Sequence, residues 1–255
     1  MCLIVFAWKK HPEYKLILAA NRDEFYNRPT LPAHYWRDLS GVLAGMDLKS
    51  QGTWLGINMA GMWTAITNYR DFDNIKQHAP SRGSITSKYL TEKWEPEQYL
   101  KHLSGYSQAY NGFNLLSGNL QELFYYSNQS KEIQELRPGI YGLSNHLLDT
   151  PWPKVEEAKK QLLKLLQTDT ISPDRLFQIL YHTEQHPDHL LPNTGIGIEQ
   201  ERSLSSIFIT MNGYGSRCTT VLLIDNDNEV TFAERLYRDG RPVGQDLLFR
   251  FIPGA

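Results

Sequence analysis

Apolar, β-favouring residues run unbroken from Cys2 to Trp8, and a second such run, Lys15 to Ala20, follows the polar stretch KKHPEY. Two such runs joined by a short polar link predict an antiparallel pair. Alternating apolar and polar positions recur in TWLGINMAGMWTAITN, where the turn residues Asn58 to Gly61 predict a hairpin. The same pattern returns in FNLLSGNLQELFYYS, with Gly118 and Asn119 at the turn, and in SRCTTVLLIDNDNEVTFAERLY, turning at Asp225 to Asn228.

The period becomes helical in PWPKVEEAKKQLLKLLQT, where Val155, Ala158, Leu162, Leu165 and Leu166 share one face and Pro153 suits a first turn. A helix over SPDRLFQILYHTE is predicted to end before Pro187. Weaker helical signals lie at Ser84 to Leu90 and Pro96 to Tyr106. Strands in hairpins, a helical pair, then strands again give an α+β class with helices covering antiparallel sheet.

At 255 residues, with 41% apolar and 21% charged, the chain is expected to form one domain, 1–255, with a sizeable core. A formal net charge of -2 without a basic stripe argues against nucleic acid as a partner. The run Cys2 to Trp8 is too short to span a bilayer and lacks the charged start and cleavage site of a signal peptide, so no membrane insertion and a cytoplasmic location are expected. In that compartment Cys2 and Cys218 are expected as free thiols rather than a disulfide.

Cys2 would become residue one on removal of the initiator methionine, and its thiol would then share a residue with a free α-amine. With a reference pKa near ~7.7 to 8, that amine can accept the thiol proton, so nucleophile and base come as one unit. The competing reading is a small apolar residue that begins a buried strand. A second polar cluster, Asn21, Arg22, Asp23 and Glu24, follows the apolar run that should pair with Cys2. Arg22 beside the thiol would lower its pKa and Asp23 could orient the ammonium; alternatively the cluster is a solvated strand end.

Three other features do not carry chemistry. His182, His186 and His189 in HTEQHPDH lack the glutamate that a zinc-protease helix needs after its first histidine. DNDNE, Asp225 to Glu229, lacks the glycine and spacing of a calcium loop, and GYGSR opens no helix within a βαβ unit.

The order of MC plus an apolar strand, NRDEF, GTWLGIN, TAITN, YGLSN before PWPKV, SRCTTVLLI and AERLY covers nearly the whole chain. This set resembles the NRDE family, the homologues of the transport and Golgi organization 2 protein. That family resembles the cysteine N-terminal nucleophile hydrolases, the group of penicillin V acylase and bile salt hydrolase. The resemblance implies a four-layer αββα sandwich, with Cys2 as nucleophile, Asn68 at the oxyanion position, Asn145 as a second site asparagine and Arg217 near the nucleophile. Those hydrolases place an arginine and an aspartate three residues apart, whereas Arg22 and Asp23 are adjacent. Asn21 and Glu24 have the right separation but different chemistry.

Side-chain amides at Asn68 and Asn145 could donate to an oxygen that gains charge during acyl transfer, or could be closing strands on their own backbone. Trp54, Trp63 and Tyr69 lie in the hairpin that leads to Asn68 and are candidate pocket residues. The implied function is hydrolysis of an amide or thioester bond in a small acylated substrate, with no cofactor and no metal. The alternative is a non-catalytic protein that binds haem, acyl-CoA or lipid in the same pocket.

Overall fold

The computed structural model describes residues 2–37, 41–168 and 170–254. Met1, on whose removal free-amine chemistry at Cys2 depends, lies outside them. The amino-terminal pair is β1 (Cys2–Trp8) and β2 (Tyr14–Phe25), antiparallel as predicted, with Cys2 opposite Arg22. β2 does not stop at Ala20. It continues through NRDE because β12 pairs along the whole stretch and β1 along Asn21 and Arg22, so Asn21, Arg22 and Asp23 are buried rather than a solvated end.

β3 (Thr30–Tyr35) and β4 (Val42–Asp47) precede the first predicted hairpin, β5 (Leu55–Asn58) and β6 (Trp63–Asn68). Gly61 takes the left-handed conformation, φ +80°, that the turn requires, and Asn58 Oδ1 accepts from the Ala60 and Met62 N–H groups. α1 (Gly83–Thr91) and α2 (Pro96–Ser104) lead to the second hairpin, β7 (Phe113–Gly118) and β8 (Leu123–Ser127). β9 (Ile133–Glu135) and β10 (Gly139–Leu143) follow.

α3 (Pro153–Leu165) and α4 (Pro173–Leu180) form the helical pair. α4 ends at Leu180, earlier than the sequence predicts. Ile179 and Leu180 are its last residues buried against the sheet, and the His182 carbonyl instead takes the Phe208 N–H at 2.8 Å. α5 (Ile198–Ser203) and β11 (Thr210–Met211) precede the third hairpin, β12 (Tyr214–Asp225) and β13 (Val230–Arg238), and β14 (Arg241–Phe251) closes the chain.

The strands make two antiparallel seven-stranded sheets. One has the order β10-β1-β2-β12-β13-β14 with β11 on β12; the other runs β3 to β9 in sequence order. Ile4, Phe6, Leu16 and Leu18 from the first sheet pack against Leu55, Ile57, Ala65 and Leu116 from the second. The outer face of the first sheet buries Leu3, Val5, Ile17 and Ala19 under Val155, Leu162, Leu176 and Leu180 of α3 and α4. The outer face of the second is covered by Ile85, Tyr89, Leu100 and Leu103 of α1 and α2. The result is the four-layer αββα sandwich, with no helix among the described residues long and apolar enough to cross a membrane.

Candidate active site

Side chains alternate along a strand, and this decides which way the NRDE residues face. In β1, Ile4, Phe6 and Trp8 point between the sheets, so Cys2 does too; in β2, Leu16, Leu18 and Ala20 do the same, which carries Arg22 and Glu24 to that side. Asn21 and Asp23 face the helices. Asn21 Nδ2 donates to the carbonyls of Leu180 at 2.9 Å and Ile207 at 3.0 Å, and Asp23 Oδ1 accepts the Ser216 hydroxyl at 2.6 Å. Residues one apart and residues three apart both alternate in this way. The adjacent pair Arg22 and Asp23 therefore presents its charges to opposite faces, just as a three-residue spacing would.

Arg22 lies between two thiols, since Cys2 on β1 and Cys218 on β12 are both its cross-strand neighbours. Their Cα atoms are separated by two strand spacings, about 10 Å, beyond the ~7 Å that a disulfide can bridge. Both cysteines are free.

The Arg22 guanidinium lies over the Trp54 ring, 4.3 Å from its centroid, and donates to Asp47 Oδ2 at 3.2 Å and Thr30 Oγ1 at 3.3 Å. Arg28 donates to the same Asp47 oxygen at 2.9 Å. Partial burial would raise the Asp47 pKa, but the Arg28 bond, the Ser50 N–H and the Arg22 charge together hold it below the ordinary value.

The Arg22–Trp54 stack separates two cavities of about 210 Å³ each, and both residues line both. The first cavity is a cleft that holds Cys2 with Glu24, Asp47, Asn68 and Arg82. The second holds Arg217, Cys218 and Glu234. Arg217 thus lies beyond the wall from Cys2, donating to the Phe25 carbonyl at 3.2 Å. Trp54 is in the cleft wall as expected, whereas Trp63 is fully buried in the core between the sheets and lines neither cavity. Tyr69 packs at a tilt against His146, centroids 4.9 Å apart, also outside both.

The two asparagines have different positions. Asn68, at the end of β6, faces the cleft beside Cys2, and its side-chain amide has no hydrogen-bond partner among the described residues. Asn145 is fully buried behind it and donates through Nδ2 to the Asn68 main-chain carbonyl at 3.0 Å. Its own carbonyl accepts the Arg70 N–H at 2.7 Å, and the neighbouring Ser144 hydroxyl donates to the Cys2 carbonyl at 3.1 Å. The segment after β10 therefore ties the strand that begins at Cys2 to the strand that ends in Asn68.

Arg28, Asp47 and Arg82 are cleft residues that sequence reading missed, and Arg82 comes from the most distant segment. It precedes α1, its Nη1 donates to the Gly112 carbonyl at 2.9 Å, and burial lowers its pKa while Cys2 and Glu24 pull it back up. Nothing in PSRGSITS marks it, because the approach depends on a contact between distant segments: a Cβ at Gly52 would sit 2.5 Å from the Gly83 carbonyl carbon, so only glycine lets the helix start come this close.

Burial, and with it the Asp23 charge, raises the Cys2 thiol above its ordinary pKa; the main-chain N–H of Asp23 and the Arg22 charge act in the opposite direction without overcoming them. Arg22 thus has the predicted sign of effect, but the resting group is a thiol, and a base must take its proton. Burial also raises Asp23, opposed by Lys154, the Ser216 hydroxyl and Arg22. Cys218 is pushed much further, by burial and then by the Glu234 carboxyl.

Residues 1–239 match the family model described as Transport and Golgi organisation 2. The chain is 38% identical to the bovine Transport and Golgi organization protein 2 homolog, over 92% of each chain. It is 36% identical to the human homolog over 94% of each, and 31% identical to the Drosophila melanogaster protein over 96% of this chain and 95% of that one. Among solved structures, one variant of conjugated bile acid hydrolase from Clostridium perfringens superposes with a TM-score of 0.56 at 9% identity, covering 98% of this chain and 92% of that one. Another variant of the same enzyme gives 0.51 at 9% identity, over 99% and 98%. At such identity the likeness is one of fold, the four-layer αββα sandwich.

Proposed function

The chain belongs to the Transport and Golgi organisation 2 family, and we propose that it hydrolyses an amide or thioester bond of a small acylated substrate through Cys2. The observation that carries this reading is the cleft itself, in which Cys2 and the uncommitted amide of Asn68 face one space walled by Arg22 and Trp54.

With Met1 removed, the α-amine of Cys2 takes the thiol proton, and the sulfur attacks the substrate carbonyl carbon. Asn68 Nδ2 donates to the oxygen that becomes negative. Collapse of the tetrahedral species breaks the bond to the leaving amine or thiol, which departs with the proton held by the ammonium. Water then adds to the acyl-sulfur bond, gives one proton back to the amine, and releases the acid as the thiol is restored. Asp23, behind Cys2 on the helix side, orients the ammonium. Asn145 acts on this sequence only through Asn68, and Arg217 from the second cavity only through the wall.

A carrier of haem, acyl-CoA or lipid in the same cleft is the second reading. Arg22, Arg28 and Arg82 would suit its anionic groups, but about 210 Å³ lies below the usual range for pockets that enclose large ligands.

The test is a panel of acyl amides, lactones and acyl thioesters, run beside haem and acyl-CoA titrations on processed protein. Turnover that Cys2→Ser abolishes while ligand binding persists supports hydrolysis. Saturable binding with no turnover on any member favours the carrier.

A further inference from the structure

The cavity beyond the Arg22–Trp54 stack is as large as the cleft, about 210 Å³, yet Cys2 does not line it and acyl transfer makes no use of it. Strand alternation builds one of its walls. Val230 and Phe232 of β13 point between the sheets, so Glu234, Leu236 and Arg238 continue that row toward the end of the strand. Across from them β14 bulges: its pairing moves from Leu247 to Val243 while β13 advances only from Glu234 to Leu236, and Gly244 takes a left-handed φ of +71°. A bulge of this kind re-aims side chains beside a cavity, and here Val243 lines it together with Leu31, Pro32 and Leu236.

Opposite this apolar side the charges are unbalanced. Arg217 Nη1 donates to the carbonyls of Phe25, at 3.2 Å, and Arg28, which leaves Nη2 and Nε without a partner among the described residues. Arg238 is exposed and makes no hydrogen bond or ion pair among those residues. Burial, and then the Arg22 charge, lower the Arg217 pKa, so two guanidinium groups crowd one wall. The carboxyl in the lining is Glu234, whose oxygens are already taken by the Ala33 N–H at 2.7 Å and the Thr220 hydroxyl at 3.3 Å. The Tyr26 hydroxyl, in the same lining, is buried with no partner among the described residues.

We propose that this second cavity binds a small amphiphilic anion, whose carboxylate or phosphate group meets Arg217 and Arg238 and whose short alkyl tail lies on Leu31, Leu236 and Val243. Guanidinium donors suit such groups because they bond two oxygens at once. The volume suits a tail of a few carbons, since pockets that enclose larger ligands start at roughly 300 Å³. The site goes beyond hydrolysis at Cys2 and needs neither the thiol nor turnover.

The test is calorimetric titration of the full chain with hexyl phosphate and with hexanoate, beside hexanol and inorganic phosphate as the separate tail and head. At least one of the two amphiphilic anions should saturate a single site more tightly than either half, and the tighter of the two identifies the head group. Arg238→Gln, at an exposed position with no partner to lose, should weaken that binding about tenfold, the effect of one charge-assisted hydrogen bond. Val243→Phe, which narrows this cavity and leaves the cleft lining intact, should weaken it as well. No saturation by either anion overturns the proposal, as does hexanol binding equally well. Affinity unchanged in both variants also overturns it, because the anion would then sit elsewhere. Neither probe has an amide or thioester bond, so this result and that of the substrate panel stand or fall separately.

Discussion

The side chain of Asn145 donates to the main-chain carbonyl of Asn68 at 3.0 Å, and Asn68 lines the cleft with no side-chain hydrogen bond among the described residues. On the proposed reading Asn68 meets substrate, and Asn145 fixes where it stands. Asn68→Ala should lose on the order of 100-fold or more in turnover with KM nearly unchanged, because its donor acts mainly on the transition-state oxygen. Asn145→Ala should also lower the melting temperature, since a fully buried partner of the Asn68 carbonyl is removed at about 1–3 kcal/mol. Comparing the two variants by calorimetry and kinetics separates the roles; equal stability loss in both would contradict the division.

The two thiols should differ in reactivity. Both are raised by burial, but Cys218 far more, with the Glu234 carboxyl beside it, whereas Cys2 opens onto the cleft with the Asp23 N–H and Arg22 on its side. A thiol probe at neutral pH should label Cys2 much faster than Cys218. Equal or reversed labelling would mean that the cleft does not favour the Cys2 thiolate.

Lys154 gives a stability signature with a definite sign. Its folded pKa is about 8 against an unfolded value near 10.5, so between those values the unfolded chain holds a proton that the folded chain has released. Stability relative to Lys154→Met should therefore rise with pH across that window, by about 3 kcal/mol in full, and be flat below it. Denaturant titrations of both proteins from pH 7 to 10.5 measure the difference, and a difference that falls with pH would refute the burial of a charged lysine.

Gly52 and Gly83 should respond differently to the same added methyl. A Cβ at Gly52 meets the Gly83 main chain at 2.5 Å, whereas one at Gly83 has its nearest contacts at 3.3 Å. Gly52→Ala should cost about 2 kcal/mol by pushing α1 and Arg82 from the cleft, and Gly83→Ala should be far milder. Melting curves of the two variants check this.

Much of the architecture is legible because strand and helix periods are local. The hairpins around Gly61, Gly118 and Asp225 and the helices α3 and α4 follow from alternation, turn residues and a helical apolar face. β14 is not among the predicted strands, although Leu247, Phe249 and Phe251 alternate toward the core, because Leu248 and Arg250 interrupt the pattern at an exposed sheet edge. The site is only half legible. Cys2, Arg22 and Asn68 line one cleft, and Trp54 joins them, but the orientation of NRDE needed the strand pairing, and Arg82 reaches the site through a contact that no local pattern encodes. Arg217 follows Ser216 at a register shift in β12, which sets it in the second cavity.

The central claim is that Cys2 is the nucleophile of acyl transfer, and the intact mass of native-host protein tests it most directly. Processed protein mixed with an excess of an acyl thioester should lack Met1 and carry one acyl group, mapped to the Cys2 peptide, that disappears as free acid is released; Cys2→Ala should carry none and turn nothing over. Protein that retains Met1 and gains no acyl mass, or a Cys2→Ala variant that still releases acid, would contradict the account.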